Sequence, residues 1–241
     1  MISSLARRWA GREDTPAAGQ VRFGSFRRLA PFSRRWGKDR GGRPIDRYYI
    51  ERFLAGEASR IRGRVLEVGD DRYTRLFGQA VATSDVLHVQ PGAPGATVIA
   101  DLSQSEHLEP DQYDCIIATQ VVQVIADAEA AVRGMHRLLR PGGAVLATMT
   151  GIGQISRYDM ERWGEYWRFT TLSAQRLFAR AFEPREVDVQ SYGNVLAAAA
   201  YLYGMAAEEL RESELDHLDP EYPVTIAVRA VRSGSHTLNV A

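Results

Sequence analysis

The sequence predicts an α/β chain: a doubly wound, mostly parallel seven-stranded sheet with helices on both faces and an antiparallel last strand. Three observations carry that expectation. The stretch Arg64-Val65-Leu66-Glu67-Val68-Gly69-Asp70-Asp71 reads as a buried strand that closes on a glycine, with an acid two places before it. Further apolar strands follow at the spacing of strand–helix–strand units. Among them, Cys115-Ile116-Ile117-Ala118 is apolar on both faces, as a central parallel strand must be.

Residues 1–40 carry no period and are punctuated by Gly11, Pro16, Gly19, Gly24, Pro31 and Gly37, so a partly mobile arm with short helical pieces is expected. After Pro44, which suits a first helical turn, Ile45, Tyr48/Tyr49, Phe53 and Leu54 recur at helical spacing and predict a helix to about Arg60. Strand Val65–Val68 follows, then a helix over Tyr73–Ala80 and a strand Val86–Val89 that stops at Pro91-Gly92. A short strand, Val98–Ala100, ends at Asp101. Asp127 opens a helix with Glu129 near its start and Arg133, Arg137 and Arg140 near its end, which complements the helix dipole. Val132, Met135 and Leu139 give that helix a buried face, and Pro141-Gly142-Gly143 stops it. Strand Ala144–Thr148, a helix over Leu172–Phe182, and strands Val187–Val189 and Val224–Val231 complete the sheet. One domain over 41–233, with a flexible tail over 234–241, accounts for the rest.

The 241 residues suffice for one full core. A net charge of zero argues against a general nucleic-acid binder. No apolar run reaches the ~18 residues of a membrane span, and the small-apolar stretch Val195–Leu202 is too short. Without the apolar stretch of a secretion signal near Arg7, Arg8 and Trp9, a cytoplasmic protein is expected. The single cysteine, Cys115, excludes an internal disulfide and any multi-cysteine metal site; no metal is expected. Basic residues crowd the arm, while Glu208–Glu221 is acidic, so the arm either stays solvated, recruits an anionic substrate, or folds back on the acidic tract.

In an open parallel sheet a ligand lies beyond the carboxyl ends of the strands, where strand order reverses. The residues at those ends form the candidate site: Gly69-Asp70-Asp71, His88, Asp101, Thr119-Gln120 and Thr150-Gly151. Gly69 would admit a ligand where a Cβ would collide. Glu67 is a candidate to orient an ammonium group or hold a water. Asp101 is a candidate to accept from an adenine amino group, or else to cap the following turn with Leu102 packed inward.

Leu138-Leu139-Arg140-Pro141-Gly142-Gly143 and Tyr113-Asp114-Cys115-Ile116-Ile117 resemble the strand-five turn and fourth strand of the class I, Rossmann-like S-adenosylmethionine-dependent methyltransferases. Residues 43–51 and 163–170 resemble segments of a bacterial subgroup often found beside glycosyltransferases. The resemblance spans about residues 40–231. It implies S-adenosylmethionine as cofactor, held by Arg47, Tyr48, Tyr49, Glu67, Gly69, Asp70, Asp71, Tyr73, His88, Asp101, Leu102, Thr119 and Gln120. It also implies methyl transfer to oxygen or nitrogen of a small acceptor, a saccharide or secondary metabolite. Two departures stand out. Asp71 and Tyr73 occupy later glycine positions of the turn, and His88 stands where the superfamily presents a carboxylate to the ribose hydroxyls.

The aromatic loop after strand five is the expected substrate wall, with Tyr158, Trp167 and Arg168 on the substrate side and Trp163 and Phe169 roofing the core. Candidates by type for a proton acceptor are His107, Tyr158, Asp159 and His136, with His107 and Tyr158 chosen. A Rossmann dehydrogenase is excluded, because Gly69-Asp70-Asp71-Arg72-Tyr73-Thr74 lacks the glycine fingerprint and its acids would repel a pyrophosphate. A methyltransferase fold that is non-catalytic or altered in its cofactor is the alternative. A nucleic-acid methyltransferase finds support only in the basic arm.

Overall fold

The computed structural model describes residues 15–234. The chain divides into Met1–Pro31 and Phe32–Ala241. Of the first part, residues 15–31 are described; they hold a turn closed by Gln20 N donating to Ala17 O at 2.9 Å and a 3₁₀ turn, Gly24–Phe26, with the Arg27 guanidinium over the Phe23 ring. The first fourteen residues of the expected arm, and the expected C-terminal tail beyond Gly234, lie outside the described residues.

The second part is built on a seven-stranded sheet of order β3-β2-β1-β4-β5-β7-β6. Its strands are β1 Gly63–Val68, β2 Val81–His88, β3 Val98–Ile99, β4 Tyr113–Thr119, β5 Leu139–Thr150, β6 Val187–Tyr192 and β7 Thr225–Val231. Strands β1 to β5 are parallel, and β7 runs antiparallel between β5 and β6. The sequence expectation of a doubly wound sheet with its last strand reversed therefore holds. Order reverses between β1 and β4, so the crevice of the sheet opens above β1.

Alternation divides the core between the two faces. Leu66, Ile116, Ala118, Val145 and Ala147 meet helices α3 (Ala128–Leu138) and α5 (Thr171–Phe178) on one side. Val65, Cys115, Ile117 and Leu146 meet α1 (Ile45–Gly56) and α6 (Val195–Leu202) on the other. Short helices α2 (Arg72–Phe77), α4 (Arg157–Arg162) and α7 (Glu212–Leu215) complete the set among the described residues. None of these helices is long and apolar enough to cross a membrane.

Several boundaries differ from the sequence expectation. Helix α1 ends at Gly56, and Pro44 is its cap, extended at ψ 143°, in place of a first-turn residue. Strand β2 begins five residues early, because its solvent-facing half, Ala82-Thr83-Ser84, carries no apolar signal yet pairs with β1. Helix α3 ends at Leu138, and Leu139 and Arg140 already belong to β5, where Arg140 pairs with Asp114. Helix α6 is apolar on every side, so its sequence shows no amphipathic period, although Ala197, Ala198, Ala200 and Tyr201 are buried while Val195, Leu196 and Leu202 are exposed. The Asn194 side chain starts it by accepting from the Ala197 amide at 2.9 Å.

Residues 32–40, expected as the end of the arm, are packed on the chain that follows α6. Phe32 N donates to Tyr203 O at 2.7 Å, and a Cβ on Gly37 (φ +82°) would stand 2.7 Å from the Ala206 nitrogen. The acidic tract receives basic residues: Arg40 forks onto Glu209 at 2.6 and 2.9 Å, and Arg52 pairs with Asp216.

The turn after β1 is organised from below. Asp71 offers no side-chain cap to α2. Instead the buried Glu67 carboxylate accepts from the Tyr73 amide at 3.0 Å, the Thr74 amide at 2.7 Å and the Thr74 hydroxyl at 2.8 Å. Burial pushes this carboxyl up, and the three donors pull it back. Glu67→Ala would strand two buried amides and a hydroxyl, and should lower unfolding free energy by about 2–4 kcal/mol. Urea denaturation measures this. An unchanged midpoint would mean that α2 does not depend on this cap.

Candidate active site

A cleft of about 660 Å³ opens above the carboxyl ends of β1, β2 and β4. Its floor is Val68-Gly69, Leu87-His88-Val89 and Gln120-Val121; one wall is Ala100–Gln104, another Val124–Asp127. Asp159, Arg162, Trp163 and Tyr166, from α4 and the loop after it, also line it. The volume falls within the range of small-molecule sites, roughly 300–1,000 Å³.

Gly69 holds φ +97°, and a Cβ there would have no neighbour within 4 Å. Backbone conformation therefore demands the glycine, and its open side belongs to the cleft. Gln120 is also left-handed, at φ +58°, which for a non-glycine residue is strained. Its amide N donates to Thr148 O at 2.8 Å, and its Oε1 accepts from Thr150 Oγ1 at 2.7 Å and Gln123 Nε2 at 2.6 Å. The end of β4 is thereby locked to β5.

Five of the expected residues meet in the cleft: Gly69, His88, Asp101, Leu102 and Gln120. Asp101 both lines it and caps the turn Leu102–Gln104, its Oδ1 accepting from Ser103 N at 2.8 Å and Ser103 Oγ at 2.7 Å. His88 Nδ1 accepts from Gln90 N at 2.9 Å, which assigns the ring proton to Nε2.

The other expected residues lie elsewhere. Glu67 lies beneath the turn as the cap of α2, where its oxygens accept from the start of that helix. Asp70 accepts from Arg72 N and Asp71 pairs with Arg75, and neither lines the cleft. Tyr73 is buried in the core and stacks on Phe77, with its phenol pushed up to about 12 chiefly by burial. Tyr48 donates to Asp216 at 2.6 Å and Tyr49 to Leu215 O at 3.0 Å, so these rings join α1 to α7 and do not close the cleft. Arg47 and Thr119 do not line it either. His107 is exposed, its Nδ1 3.1 Å from Gln104 O.

The aromatic loop is arranged differently from the expectation. Tyr158 is exposed on the outer side of α4, beneath the Arg162 guanidinium at 3.6 Å. Trp167 is a strut: its Nε1 donates to Ile125 O at 2.9 Å, and its backbone N donates to Gln123 O. Arg168 is used inside the loop, paired with Glu165 at 2.8 Å and donating to Trp167 O and Gln154 O. Trp163, expected in the core roof, faces the cleft and stands edge-on to His88 at 5.9 Å. Phe169 is buried in the core as expected. Asp159, a candidate by type, lines the cleft; His136 packs edge-on against Phe182, away from it.

Sequence reasoning did not single out a second feature. Asp46, at the start of α1, accepts from Arg47 N at 2.8 Å and from the buried Tyr201 phenol. The Tyr201 ring lies against Gly153 just past β5: a Cβ there would stand 3.1 Å from it and 2.9 Å from Thr150 Cγ2. Thr150 is the partner of Gln120, so the Asp46–Tyr201 pair lies across the end of β5 from the cleft. Burial pushes the Asp46 carboxyl up, against Arg47 and Lys38, and raises the Tyr201 phenol further. An acid beside a tyrosine 155 residues later in the chain leaves no local signal.

Comparison with known proteins agrees with this architecture. Residues 73–147, just under a third of the chain, match the family model described as a methyltransferase domain. The match starts beyond the Gly69 turn and runs from α2 into β5. No curated protein matches the chain. An S-adenosylmethionine-dependent methyltransferase from Archaeoglobus fulgidus superposes with a TM-score of 0.51 at 11% identity, over 77% of this chain and 94% of that one. Also similar is an S-adenosylmethionine-dependent methyltransferase from Mesorhizobium loti: TM-score 0.49, 16% identity, 78% and 98% coverage. The N-methyltransferase NodS from Bradyrhizobium japonicum WM9, solved with S-adenosyl-L-homocysteine, gives TM-score 0.48, 14% identity, 79% and 88% coverage. The fold is that of the Rossmann-like methyltransferases.

The raised Asp46 carboxyl has a consequence for stability. A folded-state value above the unfolded one means that its stabilising contribution is complete below the ordinary value of 3.8 and is lost as pH rises through the folded value. Asp46→Asn should therefore gain on the unsubstituted protein in melting temperature as pH rises from about 4 to 8. A difference that stays flat, or moves the other way, would show that the recess does not disfavour the charge.

Proposed function

We propose that this protein is a class I methyltransferase that uses S-adenosylmethionine to methylate oxygen or nitrogen of a small molecule, a saccharide or secondary metabolite. The family match over residues 73–147 and the fold support the enzyme class. The observation that carries the cofactor is the lining above Gly69: three carboxylates, Asp101, Asp127 and Asp159, against one guanidinium, Arg162. Such a lining suits a ligand with a positive sulfonium and ammonium and disfavours a pyrophosphate.

The residues present fit that cofactor. Leu87, Val89, Leu102 and Val124 offer apolar surface for a purine, Asp101 keeps Oδ2 clear of the turn that it caps, and the open side of Gly69 admits the ligand backbone. Bound S-adenosylmethionine supplies an electrophilic methyl group. The protein contributes position and exclusion of water, which for an in-line displacement account for much of the acceleration. The strut at Trp167 and the Arg168–Glu165 pair hold the loop carrying Trp163 and Tyr166 over the cleft. An acceptor hydroxyl or amine loses its proton as it is methylated, and of the candidates His107, Tyr158, Asp159 and His136 it is Asp159 that lines the cleft. The resemblance of residues 43–51 and 163–170 to a subgroup found beside glycosyltransferases supports a saccharide or secondary-metabolite acceptor.

The test is a pair of measurements. Release of S-adenosylhomocysteine should appear when the enzyme and S-adenosylmethionine are given hydroxylated or amino metabolites of neighbouring pathways. Gly69→Val would strain the turn and fill the cleft, and should weaken cofactor binding at least about a hundredfold in calorimetry while the fold persists. Undiminished affinity in that variant would place the cofactor elsewhere.

A further inference from the structure

We propose that His88 reads the sugar of the bound cofactor through a single donor, so that the cleft does not require both ribose hydroxyls. This rests on the reading above and deepens it. In the dinucleotide-binding form of the doubly wound sheet the end of the second strand, about 20 residues past the glycine turn, faces the ribose, and an acid there accepts from a hydroxyl. His88 occupies that place: it ends β2, lies nineteen residues past Gly69 and lines the cleft.

An imidazole whose Nδ1 lone pair is taken by Gln90 N at 2.9 Å has no acceptor left for a hydroxyl. What remains is one N–H, at Nε2, which can donate to a single oxygen. Trp163, edge-on to the ring at 5.9 Å, limits its freedom to turn and present another face. No neighbouring acid on β2 makes up the difference. Asp85 accepts from Arg64 Nε at 2.8 Å and from Thr97 Oγ1 at 3.0 Å, three residues below. The carboxylates of the cleft belong to other elements: Asp101 after β3, Asp127 at the start of α3, Asp159 in α4.

One neutral hydrogen bond is worth less than about tenfold in affinity, whereas a hydrogen bond to a charged carboxylate is worth more. The experiment is titration calorimetry of the full chain with S-adenosylhomocysteine and its 2′-deoxy and 3′-deoxy analogues. Each analogue should bind within tenfold of the parent. His88→Glu should open a gap of tenfold or more for at least one analogue, because the introduced carboxylate can accept from both hydroxyls. A loss of tenfold or more for either analogue with the unsubstituted protein would overturn the inference while leaving the methyl-donor reading intact. Failure of all three ligands to bind would overturn that reading and this one together.

Discussion

The site depends on one buried carboxylate. Glu67 sits on β1 just before the glycine turn and gathers the amides of Tyr73 and Thr74, together with the Thr74 hydroxyl, beneath that turn. A helix start needs acceptors for its first amides, and the residue directly before α2 supplies none. By capping α2 from the strand, Glu67 fixes the angle at which the chain leaves β1 and leaves Gly69 in its left-handed conformation. The same arrangement explains how Asp71 and Tyr73 stand where further glycines are usual. With α2 pulled down onto Glu67, Tyr73 turns into the core against Phe77 and Asp71 pairs outward with Arg75. Neither side chain enters the space above the turn.

A second constraint acts from the other side of the crevice. Gln120 is held in a strained conformation by Thr148, Thr150 and Gln123, and the Gln123 carbonyl in turn accepts from Tyr166 N at 2.8 Å and Trp167 N at 3.3 Å. The end of β4 and the loop covering the cleft are thus one hydrogen-bonded unit. Strain at Gln120 is sustained by that unit, and the position of Trp163 over His88 follows from it.

Much of this was legible in the sequence where the signal is local. The strand Val65–Val68 closing on Gly69, the doubly apolar Cys115–Ala118 and the dipole-matched helix after Asp127 each fixed an element, and the strand-end rule gathered Gly69, His88, Asp101 and Gln120. Residues whose roles depend on distant partners were not legible. Tyr48 and Tyr49 have the spacing of cleft residues, but Asp216 and Leu215 engage them from 168 and 166 positions away. Arg168 and Trp167 have the chemistry of substrate contacts, yet backbone carbonyls of their own loop and of Ile125 take their donors. Trp163 and Tyr158 reverse their expected roles because α4, six residues long, is too short for its period to show which face turns inward. The match to the methyltransferase domain model begins only at residue 73, beyond the turn where this chain departs from the usual glycines.

A crystal structure of the protein grown with S-adenosylhomocysteine tests most directly whether the crevice above Gly69 holds the cofactor. The nucleoside should lie between Gly69 and Trp163, with its purine against Leu102 and its amino group toward Asp101. Ligand density at any other surface, or a crevice that stays empty beside a ligand bound elsewhere, would contradict it.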